Sequence, residues 1–449
     1  MAPTRTLVVG SGGREHALAW KLASEPGGNE VIVAPGSQAI ASEPRVRCLP
    51  GVDALAPGAI VAAARREAVE LVVIGPEAPL AAGVADVLRA AGIAVFGPSA
   101  AAARIETSKA FCHEIADAVG VRMARAGVFH DRTMARDYAA ALASDGHGVV
   151  VKADGLAGGK GVIVCESLDA ANRAIDALFA GASAARTDSP LVVVEERLTG
   201  REASLIALCD ERDAVAMPLA RDHKRLLDGD DGPNTGGMGA YSPLSDLLDE
   251  DAEMLLDAFH RPILAELGRR DAPFRGALYA GLMVTDDGPV LLECNARFGD
   301  PETQAILPRL AIALGPFLLA AARGELRSAM AASHLAGARL PTLPGATVAI
   351  VLASAGYPDR PRTGDSIDGL AEAAATGALI FHAGTTRDAE GTVRTAGGRV
   401  FTVVGRGRDL AAARDVASEA ADRIHAPGLQ RRQDIAVEPA RAAAIGAAR

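Results

Sequence analysis

Four stretches of this sequence carry residue types suited to anionic substrates. The first is Gly155-Leu156-Ala157-Gly158-Gly159-Lys160-Gly161. It is not a Walker A loop: the spacing differs, no Ser or Thr follows Lys160, and a strand comes next instead of a helix. A glycine loop between two antiparallel strands can instead fold down over a polyphosphate, and Lys152 just before it points toward the same anion. Read alone, the loop also fits a plain flexible hairpin. Lys152 inside a run as apolar as VVVKAD weakens that reading, because an unpaired buried ammonium is costly.

The second stretch is Glu293-Cys294-Asn295-Ala296-Arg297-Phe298-Gly299-Asp300-Pro301-Glu302, at the end of the apolar run PVLL. Residues two apart on a strand share a face, so Glu293 and Asn295 offer two oxygen donors together. Mg2+ favours one or two such ligands plus substrate phosphates. Arg297 continues the alternation and would neutralise a second anion. The structural alternative is a simple Glu293–Arg297 ion pair. The third stretch is Asp222-His223-Lys224-Arg225, followed by the glycine-rich run from Asp230 to Tyr241 that contains Asn234 and Gly236. It reads as a mobile substrate loop or as a solvated surface loop.

The fourth, Gly10-Ser11-Gly12-Gly13-Arg14-Glu15-His16, follows a strand and opens a helix. Backbone N–H groups at a helix N-terminus hold phosphate or carboxylate. A dinucleotide fingerprint fails on detail, since Glu15 stands at its sixth position and no acid ends the second strand. A small-anion site and a plain tight turn both stay open. The histidines lack metal-ligand spacing, and no nucleophile elbow or Cys/His signature is present.

The elements that must position these residues follow from periodicity. Thr6–Val9, Glu30–Ala34 and Leu71–Gly75 read as buried strands alternating with helices, the first helix running Arg14–Ala23. That pattern implies a parallel sheet with ligands at the strands' carboxyl ends. Residues 97–125 read as two helices joined near Glu106-Thr107. The middle of the chain reads as α+β with largely antiparallel sheet, including a strand pair over 276–295 that turns at Asp287-Gly288. From Pro344 onward the pattern is a small α/β unit ending in a helix over Asp409–Ile424.

Composition narrows the class. A length of 449 residues suggests roughly two to four domains. Hydrophobic residues at 49% and charged ones at 23% are globular values. A net charge of −10 argues against a non-specific nucleic-acid binder. No apolar run reaches the roughly 18–20 residues of a membrane span, and the N-terminus lacks the pattern of a signal peptide. The five scattered cysteines, never in C-x-x-C, fit reduced thiols in a cytoplasm.

Taken together, VVGSGGREHALAWKL, VIGPEAPLAAGV, FGPSAAAARIETSKAF, VVKADGLAGGKGV, DHKR, GPNTGGMGAYSP and RFGDPETQ resemble the glycinamide ribonucleotide synthetase family of ATP-grasp ligases, over residues 5 to about 430. The resemblance implies an N-terminal parallel α/β domain (1–105), an ATP-grasp core (106–320) with a lid subdomain over about 125–195, and a small C-terminal α/β domain (335–430). It implies a reaction of glycine, 5-phosphoribosylamine and ATP through a glycyl phosphate, with Mg2+ or Mn2+. By position, Lys109, Lys152 and the lid residues Gly158, Gly159, Lys160 and Gly161 would meet the ATP phosphates. Glu195, Glu196 and Leu198 would form an adenine-binding strand edge, with Glu202 near the ribose. Glu293 and Asn295 would hold the metal. Arg297, Lys152 and Asp222 would be catalytic. Lys224, Asn234, Gly236, Asp300 and Pro301, with Asp222 and Arg297, would surround glycine and the acyl phosphate. Gly10, Gly12, Gly13, Arg14 and Glu77 would face phosphoribosylamine. The implied protein is a cytoplasmic monomer or weak homodimer acting on small molecules, with no nucleic-acid or membrane partner. Three departures stand out: Cys294 replaces a usual Phe, Ser37-Gln38-Ala39-Ile40 stands where the family tends to have Asn-Ala-Gly-Thr, and the strand reading GLMV lacks a second acidic metal ligand. Competing readings are another ATP-grasp or biotin-carboxylase-like enzyme, and a nucleotide-binding regulatory module without turnover.

Overall fold

A computed structural model of the chain describes residues 2–155, 161–184 and 191–440, with only the backbone of 182–184. Gly158, Gly159 and Lys160 lie outside the described residues. The first unit is a five-stranded sheet, all parallel, in the order Val46–Cys48, Glu30–Pro35, Arg5–Gly10, Leu71–Ile74, Val95–Phe96. Leu7–Val9, Val31–Ala34 and Leu71–Ile74 are fully buried, as expected for a sheet covered on both faces. The strand order reverses beside Arg5–Gly10. Such a switch point opens a crevice at the carboxyl ends, here at Gly10 and at the turn leading to Glu77.

Two helices follow, Ala100–Thr107 and Lys109–Val119. They meet at Ser108, just past the expected joint, because the Ser108 hydroxyl accepts the Phe111 N–H at 3.1 Å and caps the second helix. The middle of the chain forms two four-stranded antiparallel sheets. The smaller runs Ala126–Phe129, Val192–Arg197, Gly148–Ala153, Val162–Cys165. It has its own apolar core, including Ala139, Leu142, Val151 and Ile175. The larger runs Ala214–Ala216, Arg201–Asp210, Arg275–Thr285, Gly288–Asn295. Its last hairpin turns through Asp286-Asp287, one residue earlier than expected, and Gly288 with φ +99° opens the returning strand.

A second five-stranded sheet crosses the expected boundary. Its order is Arg221–Asp222, Gly239–Ser242, Ala346–Ala353, Arg399–Gly407, Leu379–His382. Gly239–Ser242 therefore pairs with Ala346–Ala353 of the C-terminal unit. All four residues of Gly239–Ser242 are buried, so this end of the glycine-rich stretch is core and not a solvated loop. The glycines make that possible by letting backbones close in: a Cβ on Gly239 would lie 2.8 Å from the Ala349 carbonyl oxygen. No helix among the described residues is long and apolar enough to cross a membrane.

Candidate active site

Lys152 sits on Gly148–Ala153, buried, with its ammonium 2.6 Å from Glu195 Oε2. It also donates to the Leu292 carbonyl at 3.3 Å, which ties the small sheet to the large one. The other Glu195 oxygen lies 2.7 Å from His113 Nε2. The buried ammonium is thus paired, which is the condition for placing one there. Lys109 begins its helix and donates to the Gly155 carbonyl at 3.2 Å. Asp154 accepts from the Ala110 N–H and the Ser108 hydroxyl, each at 3.1 Å. Gly161 closes the far side of the loop, accepting the Ala153 N–H at 2.8 Å.

Val192–Arg197 is an interior strand, so Glu195 and Glu196 do not form the expected edge. Glu195 is opposite Ala126 on one side and Val150 on the other. The Glu196 carboxylate accepts the Arg125 N–H at 2.9 Å. Backbone beyond the strand, at half-buried Leu198, is where pairing ends.

Glu293 and Asn295 lie on the last strand of the large sheet. A bulge leaves Leu292 without an opposite residue, and beyond it Glu293 pairs with Gly281 and Asn295 with Tyr279. The Lys224 ammonium bridges two carboxylates, 2.9 Å from Glu202 and 3.5 Å from Glu293. Lys224 pulls the Glu293 pKa down to about 2 against the effect of burial, with Lys152, Lys109 and Arg297 adding to it. Glu293 is therefore ionised at neutral pH. Burial raises Asp222 well above the usual carboxylate range; Lys224 opposes this, while Glu302, Glu202 and Glu293 reinforce it. Among the described residues no three His, Cys, Asp or Glu side chains converge to hold an ion unaided. Two oxygen donors on one strand face, one of them a firmly ionised carboxylate, fit a hard cation that completes its shell with phosphate and water. Cys294, on the opposite face, is buried in the apolar core.

Arg297 does not pair with Glu293. Its Nη2 lies 3.0 Å from Glu106 and its Nε 3.4 Å from Glu77 of the first unit. Arg14 and Arg297 both donate to the Phe298 carbonyl, at 3.1 and 3.2 Å. Asp300 meets Arg399 of the C-terminal unit at 3.1 Å, and Arg399 also donates to the Gly236 carbonyl. The Gly236 N–H donates to the Tyr357 hydroxyl at 2.9 Å. Gly237, with φ +104°, packs so closely that a Cβ would lie 2.4 Å from Pro301 Cδ. Asn234 donates to the Val162 carbonyl at 3.3 Å, touching the small sheet. All three units thus converge around Arg297 and Asp300.

The N-terminal glycine loop departs from the expected open cradle. Glu15 folds back over it: its Oε2 accepts the Gly12 N–H at 2.7 Å and its Oε1 takes Arg14 Nε at 2.6 Å. A Cβ on Gly10 would lie 2.6 Å from Glu15 Cγ, and one on Gly75 2.2 Å from Glu15 Oε1. The residue that breaks the dinucleotide fingerprint therefore engages the Gly12 N–H from within the chain. We expect Glu15→Ala, which leaves buried Arg14 without this partner, to cost about 3 kcal/mol. Glu15→Gln, which keeps an acceptor for Gly12, should cost less. Denaturant midpoints check this; equal midpoints for Glu15→Ala and the unaltered chain would refute the assignment.

Residues 4–106 match the phosphoribosylglycinamide synthetase N domain, 107–303 its ATP-grasp (A) domain, and 347–438 its C domain. The chain belongs to the phosphoribosylglycinamide synthetase family. Among relatives of this family, the phosphoribosylamine–glycine ligase of Leifsonia xyli is 48% identical over 96% of this chain and 99% of its own. That of Streptomyces coelicolor is 46% identical over 97% and 99%. The crystal structure of the Thermotoga maritima phosphoribosylamine–glycine ligase superposes with a TM-score of 0.78 at 32% identity, covering 96% of this chain and all of that one. A biotin carboxylase domain from Hydrogenobacter thermophilus shares the fold, with a TM-score of 0.69 at 14% identity over 96% of this chain and 92% of that one. As an ATP-grasp ligase family, phosphoribosylglycinamide synthetases use ATP and a divalent metal. Several residues that shape this site carried no local sequence signal. Glu106 and His113 lie on helices, and Arg399 sits in the ordinary strand run RVFTVVG; only three-dimensional pairing brings them to the site.

Proposed function

We propose that this chain joins glycine to 5-phosphoribosylamine, giving glycinamide ribonucleotide, ADP and phosphate. A glycine carboxylate oxygen attacks the γ-phosphorus, and the bond to ADP breaks. The amine nitrogen of phosphoribosylamine then attacks the glycyl phosphate carbonyl, loses a proton, and phosphate departs with the C–O electron pair. This chemistry asks for positioning and charge neutralisation more than for a strong base. Lys109, Lys152, Gly158, Gly159, Lys160 and Gly161 meet the nucleotide phosphates. Adenine lies along the backbone at Leu198, with Glu202 toward the ribose. Mg2+ or Mn2+ on Glu293 and Asn295 supplies positive charge to the phosphate oxygens when bound. Arg297, Asp222 and Lys224 orient glycine and the acyl phosphate, with Asn234, Gly236, Asp300 and Pro301 forming the wall. Gly10, Gly13, Arg14 and Glu77 face phosphoribosylamine; the Gly12 N–H is already engaged by Glu15.

The observation that carries this reading is the reach of Arg297. It stands two residues beyond Asn295 yet contacts Glu77 across the unit boundary, so the phosphate-handling groups and the N-terminal crevice share one arginine. Five free cysteines support a reducing cytoplasm, and a monomer or weak homodimer acting on small molecules alone completes the reading. The test is ADP release with glycine and phosphoribosylamine, supplied singly and together. Sustained release only with both is expected; equal release with neither substrate present would overturn the assignment.

A further inference from the structure

A cavity of about 540 Å³ lies at the other end of the parallel sheet, lined among others by Glu70, Arg89, Ile93, Arg275, Ala322 and Arg323. Glu70 immediately precedes the strand Leu71–Ile74, whose far end leads to Glu77. The cavity therefore sits at the amino ends of the strands, and the catalytic groups at their carboxyl ends. A four-residue strand separates the two, roughly 13 Å of extended chain.

Its three arginines come from three elements: Arg89 from the helix Val84–Ala90, Arg275 from the start of Arg275–Thr285, and Arg323 from the end of the helix Gly315–Arg323. Arg275 is fixed by Glu211 at 2.7 Å and by the Ala322 carbonyl at 3.0 Å, using Nε and Nη1. Its Nη2 lies under Gly324, where a Cβ would come within 3.3 Å. Half-buried Arg89 donates one N–H to the Gly97 carbonyl and has no carboxylate at ion-pair distance among the described residues. Arg323 is exposed and makes neither an ion pair nor a hydrogen bond there. The Glu70 carboxylate accepts from the Thr4 hydroxyl.

Helix dipoles favour a cation in the last turn, which accounts for Arg89 and Arg323 taken singly. They do not account for two helix ends and a third arginine meeting on one cavity. Burial, and after it the neighbouring Arg275, act against the charge on Arg89, while Asp86 and Glu211 offset part of this; the net effect is unfavourable, so an added anion would relieve the group. Guanidinium forks with unused N–H groups match phosphate oxygens in geometry and charge.

We propose that this cavity binds a phosphate-type dianion, free or carried on a phosphate monoester, at a site separate from the catalytic one. Phenylglyoxal labelling of the full chain, read arginine by arginine from peptide masses, tests it locally and so ignores phosphate bound elsewhere. Inorganic phosphate at about four times its Kd should slow labelling of Arg89 and Arg323 about fivefold. Arg408, whose side chain is 90% exposed, should label unchanged. In Arg323→Ala, which removes a side chain without a partner, phosphate should protect Arg89 by less than about twofold. A parallel arm with adenosine monophosphate separates the sources: protection at lower concentration than inorganic phosphate identifies a monoester, and equal or weaker protection identifies the free ion. Unchanged labelling of Arg89 and Arg323 with both anions overturns the proposal, as does equal protection of Arg408.

Discussion

Glu293→Gln is expected to lower turnover at saturating ATP and Mg2+ by about 10²–10³-fold, the scale of losing one preorganised electrostatic contact to a transferring group. The substitution keeps the shape of the side chain and removes its charge. Lys224, Lys152, Lys109 and Arg297 then face the site with one carboxylate fewer to offset them. Metal-free ATP should bind no more weakly, because the site becomes more positive, while the Mg2+ concentration for half-maximal rate should rise. Stability carries a second signature. Glu293 has a folded pKa of about 2, below its ordinary value, so its contribution is present above the unfolded pKa and lost as pH falls toward 2. The melting-temperature gap between the two proteins should be constant near neutrality and close in that acid range. Near-normal turnover at high Mg2+ would remove Glu293 from the metal.

Lys152→Met should be the more damaging change for folding. It leaves Glu195, 3% exposed, with the His113 imidazole as its remaining side-chain partner among the described residues. Breaking a buried pair from one side costs about 3–5 kcal/mol. The small sheet should lose hydrogen-exchange protection first, since Lys152 joins it to Leu292. Adding Glu195→Gln removes the stranded charge and should recover a large part of the loss. If the double variant is no more stable than Lys152→Met alone, the pair is not what holds the two sheets. Turnover should stay low in both, because the proposed phosphate contact of Lys152 is missing in each.

How much of this was legible in sequence depended on range. Runs of four or more apolar residues, such as LVVI and EVIVA, announced their strands. Val46–Cys48 and Val95–Phe96 are too short to show a period, and pairing with longer neighbours makes them strands. The face shared by Glu293 and Asn295 followed from alternation alone and survives because the bulge at Leu292 lies before both. The partner of Lys152 was not readable: Glu195 looked like nucleotide-binding edge, and only the strand order places it inside the sheet. Glu15 was read as a break in a fingerprint, whereas its carboxylate is what the glycine loop encloses. Glycine content suggested mobility at 236–239, yet the same glycines allow the tight backbone packing of Gly239.

The pairing of Gly239–Ser242 with Ala346–Ala353 bears on how this protein can be cut. The C-terminal unit is not a detachable module, since two of the five strands in its sheet are contributed from before residue 243. A fragment ending near 340 would expose one side of a buried apolar strand, a template for aggregation. A fragment starting there would lack its sheet's outer pair. Neither piece should express as a soluble species by itself, whereas co-expressed halves have a ready-made seam along which to reassemble.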